Sequence, residues 1–144
     1  MLNISQNQIL DRQAINLLLL ADPAEEMINR YISNSMMFQA TIHDELVGIA
    51  VCQDISPTCI EIKNIAVSQS EQGKGYGRAL LQHCIHYGKK SSYGTLKIAT
   101  GNSSIYQLSL YQSCGFKLTK VDTGYFIRTM MNPSLKMAFS ARIR

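Results

Sequence analysis

The stretch Val67-Ser68-Gln69-Ser70-Glu71-Gln72-Gly73-Lys74-Gly75-Tyr76-Gly77-Arg78-Ala79-Leu80-Leu81 constrains this chain more than any other. A β-branched strand runs into three alternate glycines and then directly into an amphipathic helix. Glycine is costly at a helix start unless its backbone freedom is used, and here it lets the main chain approach a ligand closely. The first N–H groups of a helix have no intrahelical partner and lie at the positive end of its dipole, so such a turn cradles an anion without side chains. Lys74 and Arg78 add mobile positive charge beside it. Two other phosphate-binding designs do not fit. A P-loop needs G-x-x-x-x-G-K-[ST], whereas Gly73-Lys74 is followed by Gly75. A G-x-G-x-x-G fingerprint begun at Gly73 or Gly75 meets Arg78 or Leu80 where the third glycine belongs. A flexible turn with incidental glycines is the bland alternative.

The elements around this turn follow from periodicity and turn chemistry. Asn7 to Ala21 is helical by pattern, and Asp22-Pro23-Ala24-Glu25 restarts a helix, with Asp22 as cap, Pro23 at the first position and Glu25 completing a capping box. That helix runs to about Tyr31 or Ile32. Met37 to Ile42, a His43-Asp44 turn and Leu46 to Gln53 read as an antiparallel hairpin. Cys59 to Val67 is a strand with Ile60, Ile62, Asn64 and Ala66 on one face and Glu61, Lys63, Ile65 and Val67 on the other. Gly75 to Lys89 is a helix, Thr95 to Thr100 a strand, Ser103 to Ser113 a helix ended by Gly115, and Phe116 to Val121 a strand. A last strand covers Leu135 to Ala141, either at a sheet edge or exchanged with a second subunit to give a homodimer. The order predicts an α/β fold with antiparallel edges and a parallel pair around one crossover.

No repeat or linker divides the 144 residues, which read as a single domain, 1–144, long enough to hold a core without disulfide or metal staples. At 46% hydrophobic the chain is not disordered, and no apolar run reaches the roughly 20 residues that cross a bilayer. The N-terminus has no basic n-region and the leucines Leu17 to Leu20 are too short for a signal-peptide core, so the expected compartment is the cytoplasm. Cys52, Cys59, Cys84 and Cys114 form no C-x-x-C pair and read as buried free thiols rather than metal ligands; no metal is expected. The net charge of +4 fits an anionic ligand, but the basic residues are scattered and give nucleic-acid binding no support.

Gln72-x-x-Gly75-x-Gly77 matches the [QR]-x-x-G-x-[GA] signature of the GNAT N-acetyltransferase superfamily, in its context of strand before and helix after. Ile65-Ala66-Val67 resembles the family's L-x-V strand element, and Leu110-Tyr111-Gln112-Ser113-Cys114-Gly115-Phe116 its [FL]-Y-x-x-x-G-F. The resemblance covers about Met36 to Val121. It implies a mixed central sheet with a splayed parallel pair in the middle, flanked by about four helices. It also implies acetyl-CoA as co-substrate, its pyrophosphate held by Gln72, Gly73, Lys74, Gly75, Tyr76, Gly77 and Arg78. The pantetheine amides would lie along the strand edge at Ile65, Ala66 and Val67, with Asn102 assisting. A β-bulge in that strand is the family's way of opening the gap, and an N–H near Ile65 or Ala66 would face the thioester carbonyl.

The reaction so implied is direct attack by a primary amine of a small molecule or peptide on the thioester, in a ternary complex. An amine of pKa about 10.4 is unprotonated in only roughly one molecule in 2,500 at pH 7, so a base is useful, and an acid helps the thiolate leave. Tyr111 occupies the position of the family's usual acid, against the alternative of a core aromatic beside Leu108 and Leu110. Glu61 is the candidate base, against the alternative of a strand charge paired with Lys63. Asn102 reads equally as a helix N-cap. The competing functional class is a catalytically silent acyl-CoA-binding module, which would need no proton donor at Tyr111.

Overall fold

The computed structural model describes residues 1–22, 24–101, 105–122 and 136–143. In chain order the elements are β1 (Asn3–Gln6), α1 (Arg12–Ala21), α2 (Glu25–Ile32), β2 (Met36–Ile42), β3 (Glu45–Ser56), β4 (Cys59–Val67), a 3-10 turn (Gln69–Glu71), α3 (Tyr76–Lys90), β5 (Thr95–Gly101), α4 (Ile105–Ser113), β6 (Lys117–Asp122) and β7 (Lys136–Arg142). The strands form one sheet in the order β1-β2-β3-β4-β5-β7-β6, antiparallel throughout except for β4 with β5. This is the expected α/β architecture, with the parallel pair at its middle and α3 as the crossover between its two strands.

Local chemistry accounts for the hairpin. His43 and Asp44 take φ of +51° and +66°, and two consecutive positive φ values make a two-residue turn whose twist matches the strands it joins. Helix α3 follows from the stripe Leu80, Leu81 and Cys84, all fully buried, which lies on β3 and β4. Its core continues into Leu96 and Ile98 of β5 and into Tyr111 and Phe116. A second core on the opposite face packs Ala14, Leu17, Leu18 and Ile28 against Met37, Ile49, Val51 and Ala66. Cys52, Cys59 and Cys84 are buried free thiols and Cys114 is half-buried. Among the described residues no helix is long and apolar enough to cross a membrane.

Several expectations are corrected. Helix α1 begins at Arg12 rather than Asn7, because Asp11 caps it through Ala14 N–H (2.9 Å) and the preceding residues serve the sheet. Asn7 N–H bonds Met37 carbonyl, and Gln8 Oε1 accepts from Met37 N–H. Asp22 does not cap α2, which starts at Glu25 from Ala24 without a side-chain cap. Asp22 instead ends α1, donating its N–H to Leu18 carbonyl at 3.0 Å. Pro23 lies outside the described residues. The last strand is not at an edge: β7 lies between β5 and β6.

Candidate active site

Strand β4 pairs with β5 only from Cys59 opposite Thr95 to Ile62 opposite Ile98. Beyond Ile62 it leaves β5 but stays on β3 as far as Val67 opposite Gly48. The cause is one residue. Val51 faces Asn64 while Cys52 faces Ile62, so Lys63 is an inserted residue in β4, a bulge that bends the strand and raises its twist. Strict alternation of β4's faces is therefore corrected. Ile60 and Ile62 pack on the α3 side, and after the bulge it is Ile65 and Val67 that pack there, while Ala66 turns to α1 and α2. The half of β4 past the bulge keeps backbone groups on the side that β5 has vacated.

A cavity of about 380 Å³ occupies the opening, within the size of small-ligand sites. Its walls are Leu20 and Ala21 of α1, Ile65, Ala66 and Val67 of β4, Glu71, Gln72, Gly73, Gly75, Tyr76 and Gly77 of the turn, and Leu110 and Tyr111 of α4. Gly73 and Gly75 have φ of +83° and +87°, a region where side chains other than glycine are strained. Gln72 anchors the turn by donating from Nε2 to Val67 carbonyl at 3.1 Å. Gly75 is the N-cap of α3 and offers no side-chain cap, and the first intrahelical bond runs from Ala79 N–H to Gly75 carbonyl. The N–H groups of Tyr76, Gly77 and Arg78 thus precede the helix's own ladder, which is the arrangement that binds an anion.

The structure brings together the backbone part of the expected site more fully than its charged part. Lys74 and Arg78 are not in the cavity wall. Lys74 bonds Glu71 at 2.7 Å, and Arg78 bonds Ser113 Oγ at 2.8 Å with Cys114 Sγ at 3.6 Å. Tyr111 is in the wall and 3% exposed, its ring tilted against Phe116 at 6.4 Å. Burial pushes its pKa up to about 12, so the phenol keeps its proton at any physiological pH. Glu61 lies in the closed half of β4, opposite Lys97 of β5, and pairs with Lys63 at 2.9 Å. It is outside the cavity wall, and the bulge removes it from the face of Ile65. Asn102 lies outside the described residues. Sequence reasoning missed Leu20, Ala21, Glu71 and Leu110 as wall residues. Leu20, half exposed at a helix end, carried one weak signal for them.

The acetyltransferase (GNAT) family model matches residues 9–116. The chain is 41% identical over 127 residues to the uncharacterized N-acetyltransferase YvbK of Bacillus subtilis (strain 168), covering 88% of this chain and 82% of that protein. A solved GNAT family acetyltransferase from Elizabethkingia anophelis with acetyl-CoA bound superposes with a TM-score of 0.91 at 31% identity, over 98% of this chain and 97% of that one. A Bacillus subtilis acetyltransferase solved in complex with CoA gives a TM-score of 0.91 at 34% identity, over 100% of both chains.

Proposed function

This chain belongs to the GNAT acetyltransferase family, and from that premise we propose that it transfers the acetyl group of acetyl-CoA to a primary amine of a small molecule or peptide, by direct attack in a ternary complex. The observation that carries the reading is the parting of β4 from β5 after Ile62, beside an uncapped helix N-terminus and a buried phenol. An open strand edge suits the peptide-like amides of pantetheine. The N–H groups of Tyr76, Gly77 and Arg78 suit a pyrophosphate, and Lys74 and Arg78 are the cations that would swing toward it from their present partners. That two relatives of similar fold were solved with acetyl-CoA and with CoA supports the same co-substrate here.

Each of this chain's groups then has a task. A β4 N–H at Ile65 or Ala66 would polarise the thioester carbonyl, where negative charge develops. The attacking nitrogen forms the new C–N bond, the C–S bond breaks, and Tyr111 gives the departing sulfur its proton. The proton lost by the amine goes to Glu61 or to a water held by it; the Lys63 ion pair keeps that side chain on its strand. Calorimetry with acetyl-CoA, followed by thiol release across a panel of amines, tests the reading. Binding with turnover supports it; binding without turnover on any amine would favour a silent acyl-CoA-binding module; an intact fold that binds neither acetyl-CoA nor CoA would sink it.

A further inference from the structure

The cavity takes its walls from both faces of the sheet. Ile65, Val67, Tyr76, Leu110 and Tyr111 belong to the core under α3. Ala66 belongs to the second core, which α1 covers, and Leu20 and Ala21 are the last two residues of α1. A cavity lined from both sides passes through the sheet, by way of the gap that β4 opens when it leaves β5 after Ile62. Its two mouths differ in chemistry. At the one by α3 lie the glycine turn and the helix N–H groups that suit the diphosphate of the co-substrate. An acceptor that meets the thioester in a ternary complex therefore comes from the other face, past Leu20, Ala21 and Ala66.

That second mouth is apolar. Among the described wall residues the ionisable side chains are Glu71, Tyr76 and Tyr111. Glu71 comes from the turn and is tied to Lys74 at 2.7 Å, while Tyr76 and Tyr111 pack on the α3 face. No Lys or Arg is in the described wall, and Asp22, next in the chain after Ala21, does not line the cavity. A lone exposed leucine is ordinary on a protein surface. Leu20 differs by its place: Leu17 and Leu18 of the same helix are 7% and 0% exposed in the second core, whereas Leu20 is 49% exposed and lines the cavity. Ala21 and Ala66 beside it carry one methyl group each and leave room for a ligand. A second charged group on an acceptor drawn into this mouth would lose water without gaining a partner, whereas an apolar body gains by covering Leu20.

We propose that this enzyme acetylates primary amines carried on an apolar, alkyl-type body, with Leu20 as the specificity-determining residue that packs on that body at the α1 mouth. The inference rests on the acetyl-transfer reading and adds the class of acceptor: amines whose remainder bears no second charge, in preference to diamines and amino acids.

Thiol-release kinetics with n-hexylamine, 1,6-diaminohexane and 6-aminohexanoate test it, since the reacting ends are alike and the far ends are a methyl, an ammonium and a carboxylate. The kcat/KM for n-hexylamine should exceed that for either of the others at least about ten-fold. Leu20→Gln, similar in size, should raise KM for n-hexylamine about five-fold and narrow the preference, with KM for acetyl-CoA moved less than about two-fold. Ala21→Glu, at an exposed position of the same mouth, should turn the preference toward 1,6-diaminohexane and carries the test if Leu20→Gln does not fold. Turnover of the diamine or the amino acid comparable to that of n-hexylamine, or an n-hexylamine KM unmoved in folded Leu20→Gln, overturns the proposal. So does a preference that neither variant moves. A binding arm keeps this failure apart from failure of the transfer reading. NMR titration of the protein with excess CoA should show n-hexanol binding more tightly than 1,6-hexanediol, with shifts at the amides of Leu20, Ala21 and Ala66, and the difference should shrink in Leu20→Gln. If no amine is acetylated but this difference is present, the apolar mouth stands and the transfer reading fails. If the difference is absent, or survives Leu20→Gln intact, the proposal fails whatever the turnover. Thermal unfolding of each variant separates these outcomes from loss of fold.

Discussion

The two halves of β4 differ in almost everything except their chain. From Cys59 to Ile62 the strand is paired on both sides, and Ile60 and Ile62 are 2% and 1% exposed in the main core. From Asn64 to Val67 it is paired to β3 alone, Ile65 and Val67 are half-buried, and a buried amide oxygen lacks a partner among the described residues. One inserted residue, Lys63, separates the regimes. A sheet closed on both sides satisfies its backbone and stores stability; a sheet opened at one edge keeps donors and acceptors for something else. The strand thus shows how little sequence converts a structural element into a binding one.

Deleting Lys63 is the most severe test of that contrast. Without the inserted residue, β4 alternates regularly with Ile62, Ile65 and Val67 all on the α3 face, and the straightened strand can continue along β5, closing the cavity. Acetyl-CoA affinity, read by calorimetry on protein shown to be folded by circular dichroism, should fall on the order of a hundred-fold. Wild-type affinity in that variant would break the comparison. Tyr111→Phe comes next. It should lower kcat roughly 10²- to 10⁴-fold while leaving the dissociation constant for acetyl-CoA nearly unchanged. Because burial lifts the Tyr111 pKa to about 12, no loss of rate from its ionisation should be seen as pH rises through 10, the ordinary phenol value. Ile62→Ala probes the closed half from the other direction: about 2–4 kcal/mol of unfolding free energy lost by denaturant titration, with kcat of the folded fraction close to wild type.

What the sequence made legible divides along the same line. The glycine turn could be read because a positive φ at Gly73 and Gly75 is a local demand that only a few residue types meet. The His43-Asp44 turn and the stripe of α3 were readable for the same reason. The bulge was implied only by family resemblance, and its position could not be read, since Lys63 is an insertion only relative to Val51 and Cys52 on another strand. The start of α1 was misread because Asn7 and Gln8 fit a helical period but are claimed by β2. Asp22 looks like an N-cap by its neighbours, but α2 starts one turn of chain later from Ala24 and Asp22 closes α1 instead. The place of β7 between β5 and β6 is likewise a long-range choice that no local signal encodes. Lys74 and Arg78 belong to the turn by sequence alone, but their partners Glu71 and Ser113 follow from loop and α4 geometry.

The smallest predicted effect sharpens the contrast most, because its sign opposes intuition. Asp22 has a folded pKa above its ordinary 3.8, chiefly through burial, so between those two values the folded chain binds more protons than the unfolded one. Its contribution to stability is fully present below pH 3.8 and is lost as pH rises through the raised value. Asp22→Asn keeps the size and shape of the side chain and removes the ionisable group. At pH 7 the variant should therefore melt slightly higher than wild type, and the gap should narrow as the pH is lowered toward 3.8. Thermal unfolding across that range reads it. A lower melting temperature at pH 7 would mean that the carboxylate is a structural acceptor, and that the open half of β4 is as well satisfied by its surroundings as the closed half. A higher one would show a residue retained against the interest of the fold. Ile62, whose loss should cost stability and leave turnover intact, is its opposite on the same strand.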